Sequence, residues 1–331
     1  MDIKVKRGIL HILDPEASLP VFSQQELDLS EETVRELIAL HAGKIYEDKG
    51  VRVGEFEEET PVLIWTRSAG ADFMEHSVAV AESLYLLMKK HVEIPGGDLL
   101  LAELDIEGEA YLALLKFTYK QGYTHFVEYD ESGVRNRIIV QKALFASENQ
   151  KIDEGALIRM EDFSTRILEK EYPINGEKRS YFATDFMGCQ TSLSQKESIR
   201  VIRNVAKEMT KKYYPDSIEK DSVVQSVIYD NLEEEGVVAL QTVAETTFRE
   251  DPEIREEYVR KVREKGVDDT VAFSGESPEK AFSKYRIKLD NGIEINVPME
   301  VYRNKESIEF INNSDGTVSV IIKKVRKVTH R

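Results

Sequence analysis

The chain has 331 residues, 41% hydrophobic and 32% charged, a composition that fits two or three folded domains and excludes disordered and fibrous classes. Its formal net charge of −16 excludes a protein that coats nucleic acid with its whole surface, so any such contact must be local. A single cysteine, Cys189, excludes an intrachain disulfide and a thiolate metal clip, and no apolar run approaches the roughly 18 residues of a membrane helix.

Residues 3–13 alternate as a strand, and Ser30 opens a helix with apolar positions Val34, Leu37, Ile38, His41 and Ile45. A second helix is predicted from Asp72 as N-cap, with Glu75 three residues on, to His91, and Pro95-Gly96-Gly97 stops it. Four strands follow, in the tracts 98–108, 109–122, 123–133 and 134–145, each bounded by Gly or polar turn residues. Residues 1–170 therefore read as an α+β domain, a mixed or antiparallel sheet with helices covering one face.

Segments 194–213, 217–233, 236–248 and 251–265 carry helical periodicity, which makes residues 171–265 a helical domain. Residues 266–283 are polar and punctuated by Gly and Pro, as in a linker. Residues 284–331 read as a small β-meander: apolar alternation enters and leaves Asn291-Gly292, and a second hairpin turns at Asp315-Gly316. Residues 278–331 carry 11 Lys/Arg against 7 Asp/Glu, a net +4 that leaves −20 for residues 1–277.

The helix at 194–213 is the best candidate for function. Ser194 and Glu197 fit a capping box, and Ile199, Ile202, Val205, Ala206, Met209 and Tyr213 make one apolar face. At ~100° per residue, Lys196, Arg200, Arg203, Lys207 and Lys211 share a stripe about 80° wide, clear of that face. Such a ridge tracks phosphates without reading bases, although charge runs on helices also serve simply as solvated faces. The tail is the second basic element, with Lys323, Lys324, Arg326, Lys327 and Arg331 after a strand; its alternative reading is an edge strand guarded by lysines and a frayed terminus.

Signatures of catalysis are absent: there is no Walker A run, G-x-G-x-x-G, H-E-x-x-H or G-x-S-x-G. His11, His41, His76, His91, His125 and His330 are scattered singly, as packed or surface residues rather than metal ligands. Glu103, Asp105 and Glu107 alternate along a strand and could in principle hold a divalent cation, but such alternation is what a solvated strand face carries. Cys189, just before the basic helix, reads as a small buried hydrophobe. No cofactor, metal or catalytic residue is expected.

The run from Arg179-Ser180-Tyr181-Phe182 through Phe186-Met187-Gly188-Cys189, with the basic helix after it, resembles the bacterial 37-kilodalton nucleoid-associated protein family. In that family an aromatic segment and a D-F-x-G-C or similar turn lead into a helix at this point, and the mass of 37.9 kDa agrees. The resemblance extends more loosely over nearly the whole chain. It implies a cytoplasmic, nucleoid-associated, DNA-binding protein without catalytic activity, and it carries over no binding residue, so the contact residues rest on charge alone. Two alternatives stay open: an adaptor that reaches the nucleoid through other proteins, its acidic stretch Glu55–Glu59 facing basic partners, and, more remotely, a metal-dependent nuclease.

Overall fold

A computed structural model describes residues 1–16, 19–68, 72–130, 133–147, 149–215, 218–272, 284–288, 292–304, 306–313 and 317–327. Contacts divide the chain into two units, Met1–Ser194 and Gln195–Arg331.

The first unit runs β1 (Ile3–Leu13), α1 (Glu32–Glu47), β2 (Arg52–Phe56), α2 (Pro61–Arg67) and α3 (Phe73–Lys90). Then come β3 (Gly97–Ile106), β4 (Glu109–Thr118), β5 (Lys120–Asp130), β6 (Gly133–Leu144), β7 (Glu154–Arg159) and β8 (Thr165–Leu168). It ends with β9 (Tyr172–Ile174), β10 (Glu177–Arg179), a π-helical turn (Phe182–Met187) and β11 (Cys189–Thr191). Seven strands form one sheet in the order β1-β3-β4-β7-β8-β2-β11, with every neighbouring pair antiparallel. The α+β class and the antiparallel sheet are as the sequence predicts.

Helices cover both faces of this sheet, not one. Leu99, Leu101, Leu114 and Ile158 point into a core shared with Val80, Leu84 and Met88 of α3 and with Trp65 of α2. Their neighbours Leu100, Ala102, Leu115 and Leu157 point the other way, onto Ile38, Ala42 and Ile45 of α1. The clue lies in the near-continuous apolar run of β3, since a strand buried on one side alternates whereas one buried on both does not. Each leucine so buried contributes roughly 1.5–3 kcal/mol.

Helix starts differ from the sequence reading. α1 begins at Glu32, two residues beyond Ser30, with Glu31 at the N-cap and no side-chain cap. Asp72 does stand at the N-cap of α3, but in the left-handed region (φ 50°) and without a side-chain cap bond. Thr60 is the residue that caps, accepting from the Leu63 N–H at the start of α2.

Strands β5 and β6 leave the sheet. They pair with each other in a separate two-stranded ribbon inserted between β4 and β7, which are themselves sheet neighbours.

The second unit holds α4 (Gln195–Tyr213), α5 (Ile218–Glu234), β12 (Val237–Ala239), α6 (Leu240–Thr247), α7 (Pro252–Glu264) and β13 (Thr270–Ala272). The predicted helix at 236–248 starts late because Val237–Ala239 pairs antiparallel with Thr270–Ala272, which draws the first part of the proposed linker into a strand. The rest of that linker, 273–283, lies outside the described residues. Two hairpins follow: β14 (Lys284–Lys288) with β15 (Glu294–Pro298), and β16 (Ile308–Asn312) with β17 (Val318–Ile322), with a short helix (Met299–Arg303) between them. Asn291 and the Asp315-Gly316 turn lie outside the described residues.

Candidate nucleic-acid interface

α4 is oriented by its apolar stripe. Ile199, Ile202, Val205, Ala206 and Met209 are buried, and the Tyr258 hydroxyl of α7, itself buried, donates to the Ile202 carbonyl at 3.2 Å. Tyr213, predicted on the same face, is part exposed, because its hydroxyl turns outward to donate to Glu257 at 2.5 Å.

With that face fixed, Lys196, Arg200, Arg203, Lys207 and Lys211 all emerge into solvent. Their backbone positions span ~22 Å along the helix, with neighbours ~5–6 Å apart. Among the described residues Lys196, Arg200, Lys207 and Lys211 form no ion pair. Arg203 differs: with the Gln225 amide turned so that its oxygen faces the guanidinium, that oxygen accepts from Arg203 at 2.8 Å.

Lys212, one residue past the ridge, is already engaged. Its ammonium donates to Glu257 at 3.2 Å and to the Tyr213 hydroxyl at 2.6 Å. Tyr213 and Lys212 together hold the Glu257 carboxyl down to about 2. On the flank, Lys261 of α7 pairs with Glu208 at 3.1 Å. Glu257 and Glu208 are thus engaged by Lys212 and Lys261.

The tail is less available. Lys323, Lys324, Arg326 and Lys327 are exposed, but Lys323 is ion-paired to Glu309 and Lys324 to Glu306. Arg326 and Lys327 form no ion pair among the described residues; Arg331 lies outside them.

Charge is divided between the units. Residues 1–194 carry 21 Lys/Arg against 35 Asp/Glu, net −14, whereas residues 195–331 carry 24 against 26, net −2. α4 alone is +4, from six cations and two acids.

The other candidate groups are absorbed into structure. Glu103 lies 3.9 Å from Arg7, Asp105 lies 3.5 Å from Lys6, and Glu107 sits in the β3–β4 turn, where it accepts from the Asp2 N–H at 2.7 Å. No His, Cys, Asp or Glu group among the described residues is arranged to hold a metal. Cys189 is buried, and burial pushes its thiol up to about 12.

His11 is a packed histidine. Its Nδ1 accepts from the Ser23 N–H at 3.1 Å, which leaves Nε2 to carry the proton and donate to the Ser77 hydroxyl at 3.0 Å. Burial lowers it to about 4.

The segment Arg179–Cys189 proves to be an internal brace of the first unit. Tyr181, Phe182, Ala183, Phe186 and Met187 are all buried in the core beneath α3. The Tyr181 hydroxyl accepts at 3.0 Å from Lys116, which also donates to Glu154 at 3.0 Å, and the Tyr172 hydroxyl donates to the other oxygen of Glu154. Lys116 and Glu154 are cross-strand partners on β4 and β7 with no exposed surface. Burial pulls the Lys116 ammonium below its usual range, opposed by Glu154.

Gly188 ends the turn at φ 71°, with its carbonyl accepting from the Glu57 and Glu58 N–H groups. The Thr60 hydroxyl donates to the Met187 carbonyl at 2.9 Å, and Cys189–Thr191 then joins the sheet edge beside β2. The aromatic segment therefore folds as the end of the first unit and does not head the helical region.

Residues 9–328, nearly the whole chain, match the model of a protein family described as nucleoid-associated protein YejK. The chain belongs to that family of nucleoid-associated proteins. No curated protein matches it in sequence, and no helix among the described residues is long and apolar enough to cross a membrane.

Proposed function

We propose that the chain acts in the bacterial nucleoid by binding DNA without catalysis, and that α4 follows the phosphate backbone without reading bases. The observation that carries this reading is the ridge of exposed cations Lys196, Arg200, Lys207 and Lys211, none ion-paired among the described residues, on a helix of net +4 within the less acidic unit. Arg203 adjoins the ridge, and Arg326 and Lys327 add a weaker contribution beyond Lys323 and Lys324, whose charges are met by Glu309 and Glu306.

Each phosphate neutralised adds ~0.9 to the slope of log affinity against log salt. Replacing Lys196, Arg200, Lys207 and Lys211 by Ala should therefore flatten that slope by about 3–4, read by fluorescence anisotropy with duplex DNA over a range of salt concentrations. Lys212→Ala should change it little, because Glu257 already occupies that ammonium. An unchanged slope in the fourfold variant removes α4 from the account.

A second reading is an adaptor that reaches the nucleoid through a basic partner protein. It is favoured by the exposed carboxylates Glu55, Glu57, Glu58 and Glu59 in the unit of net −14. Purified protein that fails to bind DNA unaided at low salt would select the adaptor.

A further inference from the structure

The β5–β6 ribbon leaves a concentrated apolar surface uncovered. Its register places Tyr123 opposite Val140, His125 opposite Ile138 and Tyr129 opposite Val134 on one face. Tyr123 is 82% exposed, Ile138 80%, Tyr129 78% and Val134 65%. The eight residues of that face include no Asp, Glu, Lys or Arg. The opposite face carries the charge, with Arg135 and the Arg137–Glu128 pair. No residue from 120 to 144 joins either hydrophobic core of the unit. Two-stranded ribbons are marginal in water, and single-faced apolar patches of this size mark interaction sites.

We infer that this face docks on the same face of a second copy of the chain, making a two-fold symmetric dimer through the ribbons. Three observations favour a second copy as the occupant. First, the exposed parts of the tyrosines, Ile138 and the valines amount to about 600 Å², so two such faces bury on the order of 1,200 Å², the lower end of stable specific interfaces. Second, both ends of the face pair a tyrosine on β5 with a valine on β6, so a copy turned end for end presents the same pattern, as an isologous contact requires. Third, the ribbon's sequence 120–144 has four cations against three acids, net +1, in a unit of net −14. Two copies of this acidic unit that meet at the ribbon therefore bring no excess of acids together. Nucleic acid is the poorer fit, because the apolar face offers phosphates no cation and residues 130–131 are Asp-Glu.

The test is the mass of the full chain by light scattering and sedimentation velocity at micromolar concentrations. The expected result is twice 37.9 kDa. Tyr123→Glu combined with Ile138→Glu should yield monomer, with a dimer dissociation constant raised roughly 100-fold or more, while Arg135→Glu on the opposite face should remain dimeric. Unchanged far-UV circular dichroism and melting temperature are expected in both. A chain with residues 122–142 replaced by a short turn, also expected to be monomeric, serves if the glutamate variant fails to fold. Monomeric wild-type protein overturns the inference, whether or not the ribbon variants lose DNA affinity. So does a dimer that survives loss of the ribbon, or one that Arg135→Glu also dissociates.

Discussion

Lys116 and Glu154 are the two charged side chains whose removal should reach furthest, because they stand cross-strand in the core with no exposed surface and are satisfied only by each other, Tyr172 and Tyr181. Replacing Lys116 by Met leaves a buried carboxylate with one hydroxyl donor, and replacing Glu154 by Leu leaves a buried ammonium with one hydroxyl acceptor. Breaking such a pair from either side costs about 3–5 kcal/mol, most of it the penalty of the orphaned charge. Replacing both together removes the orphan, so the double variant should be more stable than either single one, with a coupling of about 2–4 kcal/mol. The single tryptophan, Trp65, is buried in the same core cluster, so its fluorescence during urea unfolding reports this unit directly. Single variants that lose less than about 1 kcal/mol, or a double variant whose loss is the sum of the two, would refute the reasoning.

Two further perturbations test local geometry. His11 is lowered to about 4 in the folded chain by burial and titrates near 6.5 when unfolded, so the unfolded state binds more protons between those values. Its contribution is complete above pH ~6.5 and is lost as pH falls towards 4, by up to about 3 kcal/mol, and His11→Gln should flatten that part of the stability profile measured by urea unfolding. Gly188 holds φ 71°, and a Cβ there would stand 2.7 Å from the Thr60 methyl, so Gly188→Ala should lower stability by about 1–3 kcal/mol in the same assay.

Much of this fold is legible in the sequence where local periodicity matches the final environment. β1 follows from alternation, the four strands β3 to β6 from the Gly and polar turn residues that bound them, and the exposed ridge on α4 from 100° spacing against a clear apolar face. What escapes depends on partners distant in sequence. β2, β8 and β11 are short, and they are strands because they complete one sheet edge. Tyr181 and Phe182 look like the preface to a helical region, yet Lys116, 65 residues earlier, draws Tyr181 into the first core. Local alternation is also the same for a strand inside a sheet and a strand in a free ribbon, which is why β5 and β6 read as strands of the sheet. The cap at Asp72 fails for a different reason: its left-handed backbone takes the side chain away from the α3 N–H groups.

The insertion of the ribbon between β4 and β7 has a topological consequence. Since those strands are hydrogen-bonded neighbours, the sheet closes across the base of the ribbon whatever hangs beyond it. Lys120 and Leu144 bracket a ribbon that contributes nothing to either core, so its length and surface can change without altering the register of a single sheet strand. A ribbon of another length or surface is therefore compatible with the same interior, which makes it the natural place to graft a binding specificity onto this scaffold.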